Sequence, residues 1–165
     1  LIETIQTHLQ LSKEEAKNKS IKLLKEVGIK DAEKRFDNYP HQFSGGMRQR
    51  VVIAIALAGE PDLLLADEPT TALDVSIQSE ILELIQDLCR KRQLGVILIT
   101  HDMAVIAEMA DRVIVMLDGK IVEQGPVQQI FNNPQNEYTR RLISAVPKIG
   151  SMKGKTKPEK FPIEY

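Results

Sequence analysis

Apolar positions along the chain first recur three and four residues apart and later gather into short unbroken runs. Ser12 followed by Glu15 forms a capping box, and Ala16, Leu23, Leu24 and Val27 then share one face until Gly28 stops the pattern. This predicts an amphipathic helix over 12–27, preceded by a helix in progress over 1–9. Residues 30–43 read as polar and irregular. Ser44 is placed to cap a helix that opens at Gly45 and runs through Val51-Val52-Ile53-Ala54-Ile55-Ala56-Leu57-Ala58. That stretch is apolar nearly all round, which predicts a buried helix.

The rhythm changes after Gly59 and Pro61. Leu63-Leu64-Leu65-Ala66 is a continuous apolar run ending in Asp67, Glu68 and Pro69, the pattern of a strand of a parallel sheet buried on both faces. Asp74 is placed to cap a helix carrying Ile77, Ile81, Leu84, Ile85 and Leu88 on one face. Gly95 then opens a second run, Val96-Ile97-Leu98-Ile99, ending at Thr100 and His101. Strand, helix, strand predicts a parallel crossover. A helix over 102–110, strands over 112–117 and 120–124, and a turn at Asp118 and Gly119 predict a closing hairpin. The fold class expected is α/β. Three stretches follow: a helical subdomain over 1–60, an α/β portion over 61–146, and a linker or tail of Pro, Gly and Lys over 147–165.

Composition narrows the picture. The 165 residues are 42% apolar and 27% charged, which suits a folded domain with a modest core. Lys+Arg 22 against Asp+Glu 23 leaves a net charge of -1, so no basic excess points to a nucleic-acid partner. The longest apolar run, 51–58, falls well short of the roughly 20 residues of a spanning helix. Cys89 has no second cysteine to pair with, so it is expected simply to pack. Residue 1 is Leu within a helical pattern, which reads as a start inside a longer chain.

The candidate chemistry lies at strand and helix ends. Ligands of open parallel sheets bind beyond the carboxyl ends of the strands, where Asp67, Glu68 and His101 are expected. Asp67 can serve Mg²⁺, Glu68 can accept a proton from an attacking water, and His101 can donate to a γ-phosphate. In the 44–46 turn, glycines admit a phosphate close to backbone N–H groups, at the positive end of a helix dipole. Each feature taken singly has a plain alternative: solvated carboxylates at a strand end, a capping or packed histidine, an ordinary turn into a helix.

Their conjunction carries a resemblance. Phe43-Ser44-Gly45-Gly46-Met47-Arg48-Gln49-Arg50 resembles the signature of ATP-binding cassette (ABC) ATPases, and Leu63 to Glu68 resembles their Walker B segment. Thr71-Ala72-Leu73-Asp74 is similar to the D-loop and Thr100-His101-Asp102 to the switch histidine, all in family order over residues 1–146. The resemblance implies a partial P-loop NTPase fold with ATP and Mg²⁺ as cofactors. It implies that Ser44, Gly45 and Gly46 contact the γ-phosphate of an ATP held by the opposite cassette of a head-to-tail dimer. Asp67 would serve the metal, Glu68 the attacking water, His101 the γ-phosphate and Asp74 the dimer contact.

Met47, the segment 70–78 and Asn133-Pro134 with Tyr138-Thr139-Arg140 look like the peptide and nickel importer branch. Residues 145–154 are similar to the stretch after the first cassette of fused importers for glutathione and small peptides. No G-x-x-x-x-G-K-[ST] stands in the chain. The nearest candidate, Gly150-Ser151-Met152-Lys153-Gly154-Lys155-Thr156, has one residue too few between its glycines, and Pro158 follows where a helix should grow. The P-loop (Walker A) half and the glutamine loop are therefore expected outside these residues.

The function implied is that of an importer's ATP-binding subunit, on the cytoplasmic face of the membrane. Its partners would be a second cassette, permease subunits and, indirectly, an extracytoplasmic solute-binding protein. The alternatives are a soluble ABC ATPase acting on ribosomes or DNA, and a fragment with only a dimerisation surface. ATPase activity is expected of the full-length parent, and inactivity of the 165 residues by themselves.

Overall fold

The structure, a computed structural model, describes residues 1–71 and 73–145. The expected tail over 147–165, with its glycine and lysine stretch, lies outside the described residues. The chain divides into two compact units, Leu1–Ile99 and Thr100–Tyr165.

The first unit opens with α1 (Ile2–Leu9) and α2 (Lys13–Glu26). The capping box at the start of α2 forms in full: the Glu15 N–H donates to Ser12 Oγ at 3.3 Å and the Ser12 N–H to Glu15 Oε2 at 3.0 Å. Gly28 ends the helix with φ at 81°, a left-handed conformation that glycine adopts without steric cost. The stretch expected to be irregular holds a short helix, α3 (Ala32–Arg35), and a 3-10 turn (Pro40–Gln42); burial of Ala32 anchors α3.

Helix α4 (Gly45–Leu57) starts where its cap predicts, with the Met47 N–H donating to Ser44 Oγ at 3.4 Å. Its burial departs from expectation. Ile53, Ala54 and Leu57 are buried, but Val52 and Ile55 are exposed, because the described part of the unit covers only one side of α4.

Strand β1 (Leu63–Asp67), α5 (Val75–Arg92) and β2 (Gly95–Ile99) form the expected strand, helix, strand unit, with β1 and β2 parallel and Asp67 in register with Ile99. Full burial of these strands is corrected. Leu64 and Ala66 face the core, while Leu65 is 66% and Ile99 51% exposed. An unbroken apolar run is the mark of a strand covered on two faces, and within this unit one face is covered. Helix α5 buries Ile81, Ile85 and Leu88, three points of its predicted face. Cys89 on the same helix is partly buried, and burial pushes its thiol up.

The second unit contains α6 (Met103–Met109), β3 (Arg112–Leu117), β4 (Lys120–Pro126), α7 (Val127–Asn132) and α8 (Glu137–Ser144). Strands β3 and β4 form an antiparallel hairpin of their own, separate from the parallel pair. Asp118 at φ 50° and Gly119 at φ 73° turn it, as the Asp-Gly pair predicts. Val113, Val115 and Ile130 are its buried core, with Ile106, Val122 and Leu142 packed around them. Helices α7 and α8 were not expected from the sequence. Asn136, whose Oδ1 accepts the Tyr138 N–H at 2.8 Å, is the cap that signals α8.

Candidate functional site

Asp67 and Glu68 stand where β1 ends, both exposed to solvent. The parallel register sets Asp67 beside Ile99, the last residue of β2, and the Glu68 N–H donates to the Ile99 carbonyl at 2.8 Å. Glu68 has φ at 43°, a left-handed conformation disfavoured for a residue with a side chain and of a kind that clusters at functional sites. Two further bonds hold the turn. The Thr71 N–H donates to the Glu68 carbonyl at 3.1 Å, and the Thr71 hydroxyl donates to Glu68 Oε2 at 2.7 Å. Thr71 was not singled out as a partner of Glu68, although its position three residues on, past Glu-Pro, is the spacing of a side chain that closes a turn.

Ser44, Gly45 and Gly46 form the start of α4, and the structure brings them against the segment that begins α5. A Cβ added at Gly45 would meet Leu73 Cδ2 at 3.5 Å, an ordinary contact. One added at Gly46 would meet Ile77 Cγ2 at 2.7 Å, nearer than side chains can pack. Gly46 is thus required by helix packing, a demand the phosphate argument did not contain. Asp74, one residue beyond Leu73, occupies the cap position of α5, but its side chain makes no cap hydrogen bond; its carbonyl accepts the Gln78 N–H at 2.9 Å. The loop before it is pinned instead by the Gln78 side chain, which donates to the carbonyls of Leu73 at 3.1 Å and Thr70 at 3.4 Å.

His101 opens the second unit, two residues beyond the end of β2, and is exposed. Next to it, Asp102 caps α6, its Oδ1 accepting the Ala104 N–H at 2.8 Å, while the Asp102 N–H donates to the Thr100 hydroxyl at 3.0 Å. For a magnesium ion the donor chemistry fits: Asp67 offers one hard carboxylate in solvent at a strand end, and Mg²⁺ uses one or two carboxylates with phosphate oxygens and waters. A parallel strand pair ending in adjacent carboxylates, with a glycine-led helix start packed on the connecting helix, has the plan of part of an α/β P-loop NTPase domain.

Comparison with known proteins gives the family. Residues 2–71 match the family model of the ABC transporter, and residues 122–163 match that of the oligopeptide/dipeptide transporter C-terminal region. The chain thus carries part of an ABC transporter domain followed by an oligopeptide/dipeptide transporter C-terminal region. It is 53% identical over 163 residues to the glutathione import ATP-binding protein GsiA of Escherichia coli (strain K12), covering 99% of this chain and 26% of that protein. The Shigella flexneri protein of the same name is likewise 53% identical with the same coverage. The chain thus spans about a quarter of the length of these curated relatives. Among solved structures, the dimeric bacterial ABC transporter cassette MJ0796 is 36% identical, with a TM-score of 0.58, over 71% of this chain and 49% of that one. MJ0796 bound to ADP and Pi gives a TM-score of 0.59 at the same identity and coverage.

Proposed function

We propose that the full-length parent of this chain is the ATP-binding subunit of an importer, coupling ATP hydrolysis to the uptake of peptides or similar small solutes. The observation that carries this reading is Glu68, turned out of β1 at φ 43° next to Asp67. The match of 122–163 to the oligopeptide/dipeptide C-terminal region, and the glutathione importers among the relatives, support the solute class. They also weigh against a soluble ABC ATPase working on ribosomes or DNA, as does a net charge of -1.

In this reading the Glu68 carboxylate takes the proton of the attacking water, and the Thr71 hydroxyl on its Oε2 keeps it in one orientation. Asp67 would hold Mg²⁺, which when bound would supply positive charge to offset that of the phosphates. His101 donates to the γ-phosphate. Ser44, Gly45 and Gly46 complete the site of an ATP gripped by the opposite cassette, and Asp74 contributes to that dimer contact. Closure and reopening of two cassettes drive permease subunits between their two states, with a solute-binding protein delivering cargo outside. The assembly places the subunit peripherally on the cytoplasmic face of the membrane; no helix among the described residues is long and apolar enough to cross a bilayer. The 165 residues alone are inactive in this reading, since no P-loop stands in them to grip the phosphates.

The test is Glu68→Gln in the full-length protein. It keeps size and hydrogen bonding but cannot accept the proton, so ATP binding persists and turnover falls by about 100-fold or more. Steady-state ATPase at the parent rate would remove Glu68 as the base.

A further inference from the structure

The α4 start and the loop carrying Asp74 are far apart in sequence, yet one side chain and one helix face hold them together. Arg50 lies four residues along α4 from Gly46. Its Nη1 donates to the Val27 carbonyl at the end of α2 at 2.9 Å, and its Nη2 donates to Glu80 Oε2 on α5, also at 2.9 Å. The side chain is only 20% exposed, and Val27 is fully buried. Room for the guanidinium is built in. A Cβ on Gly28 would lie 2.9 Å from Arg50 Nη1 and crowd it, at a position whose φ of 81° already favours glycine. A cation on the last carbonyls of a helix is favoured by the helix dipole, and the planar fork of arginine serves two acceptors at once, which a lysine cannot.

Helix α5 presents its partners one turn apart. Ile77 fills the space that Gly46 leaves, Glu80 takes the Arg50 fork, and Gln78 between them donates to the carbonyls of Thr70 and Leu73. The same short stretch of α5 therefore holds both the turn at 44–46 and the loop residues Thr70 and Leu73.

We propose that Arg50 is a positioning residue that locks the 44–46 turn to α2 and α5, so that this turn and the Asp74 loop move as one block. The proposal rests on the reading of Ser44, Gly45 and Gly46 as contacts to an ATP gripped by the opposite cassette. In that arrangement Arg50 touches no nucleotide. Its loss leaves the first grip on ATP intact and displaces the turn that completes the site, so that fewer molecules are competent to close at a given ATP concentration.

The experiment measures ATPase rate against ATP concentration in the full-length protein, with nucleotide binding to the open cassette followed by a fluorescent ATP analogue. Arg50→Met should raise half-saturating ATP about tenfold, the scale of a lost charged hydrogen bond, with analogue affinity unchanged. Arg50→Lys, which reaches one acceptor, should recover part of this. Glu80→Gln keeps the Val27 bond and loses an exposed ion pair, so its shift should be about twofold. An unchanged half-saturation in Arg50→Met overturns the proposal, as does a fall in kcat that only tracks the folded fraction by circular dichroism. Should Arg50→Met not fold, an unshifted Glu80→Gln overturns it. Ser44→Arg in the same assay separates the two ideas. Turnover surviving there sinks the reading of the turn itself, whereas turnover lost there beside a parental Arg50→Met sinks only the role of Arg50.

Discussion

The two strand pairs of this chain are built on opposite plans. In the first unit β1 and β2 run parallel, joined through α5, and the residues that matter stand at their carboxyl ends: Asp67 and Glu68 after β1, in register with the end of β2. Their alignment depends on contacts across tens of residues, and Leu63, Leu65, Ile97 and Ile99 line a face that the unit does not cover. In the second unit β3 and β4 are joined by two residues, and Val113 and Val115 alternate with exposed Ile114 and Met116, the signature of a hairpin with one face on a core. The parallel pair carries the candidate carboxylates and depends on tertiary restraint; the hairpin carries none of the candidate site residues and depends on its own turn. The strained backbone differs accordingly. Glu68 is held at φ 43° by Ile99 and Thr71, whereas Asp118 and Gly119 adopt positive φ because their turn type demands it.

That contrast can be broken by substitution, beginning where tertiary restraint is greatest. Gly46→Val places a branched side chain into Ile77, 2.7 Å from its Cγ2, and should cost about 1–3 kcal/mol in urea denaturation of the full-length protein. An unchanged midpoint would mean that α4 and α5 do not need the close approach seen here. Gly119→Ala tests the local side. No atom lies within 4 Å of the added Cβ, so only the left-handed backbone resists it, at a cost of about 1 kcal/mol. A larger loss than at Gly46 would reverse the contrast, making the hairpin turn the more demanding restraint.

The smallest effect concerns how the hairpin is tied to α8. With the Thr139 hydroxyl close by but not within a hydrogen bond, the N–H groups of Gln135 and Asn136, donating at 2.7 and 3.1 Å, hold the Glu123 carboxyl below its ordinary value of 4.5. A depressed folded pKa stabilises the native state above 4.5, and the contribution is lost as pH falls through the lower folded value. Glu123→Gln should therefore slightly lower stability near neutral pH and flatten its decline on acidification. Thermal melts of both proteins across that range measure this, and parallel acid declines would show that Glu123 does not couple protonation to the hairpin.

Much of the fold, including the elements that carry the candidate residues, was legible because it is written locally. The capping box at Ser12 and Glu15, the helix start at Ser44, the strand end at Asp67 and the turn at Asp118 and Gly119 each depend on neighbours within a few residues, and all stand where the sequence places them. Helices α7 and α8 escape because, at 6 and 8 residues, each offers too few turns to declare a period on its own, although Tyr138, Leu142 and Ile143 of α8, like Ile130 of α7, pack on the hairpin core. Asp74 shows the reverse error. A residue of capping type in capping position leaves its side chain out of the cap, and the loop before it is held by the Gln78 side chain on the Thr70 and Leu73 carbonyls.

By itself the sequence determined element type, element order and the identity of the strand-end carboxylates, since helix period, caps and turn chemistry act over a handful of residues. Only the tertiary structure decided which faces are covered and what each glycine is for. A run such as Leu63-Leu64-Leu65-Ala66 is apolar whether one face or two meet a neighbour, and nothing near Gly46 in sequence announces Ile77. Those outcomes belong to residues brought together from distant parts of the chain, where packing allows no added methyl group at 2.7 Å.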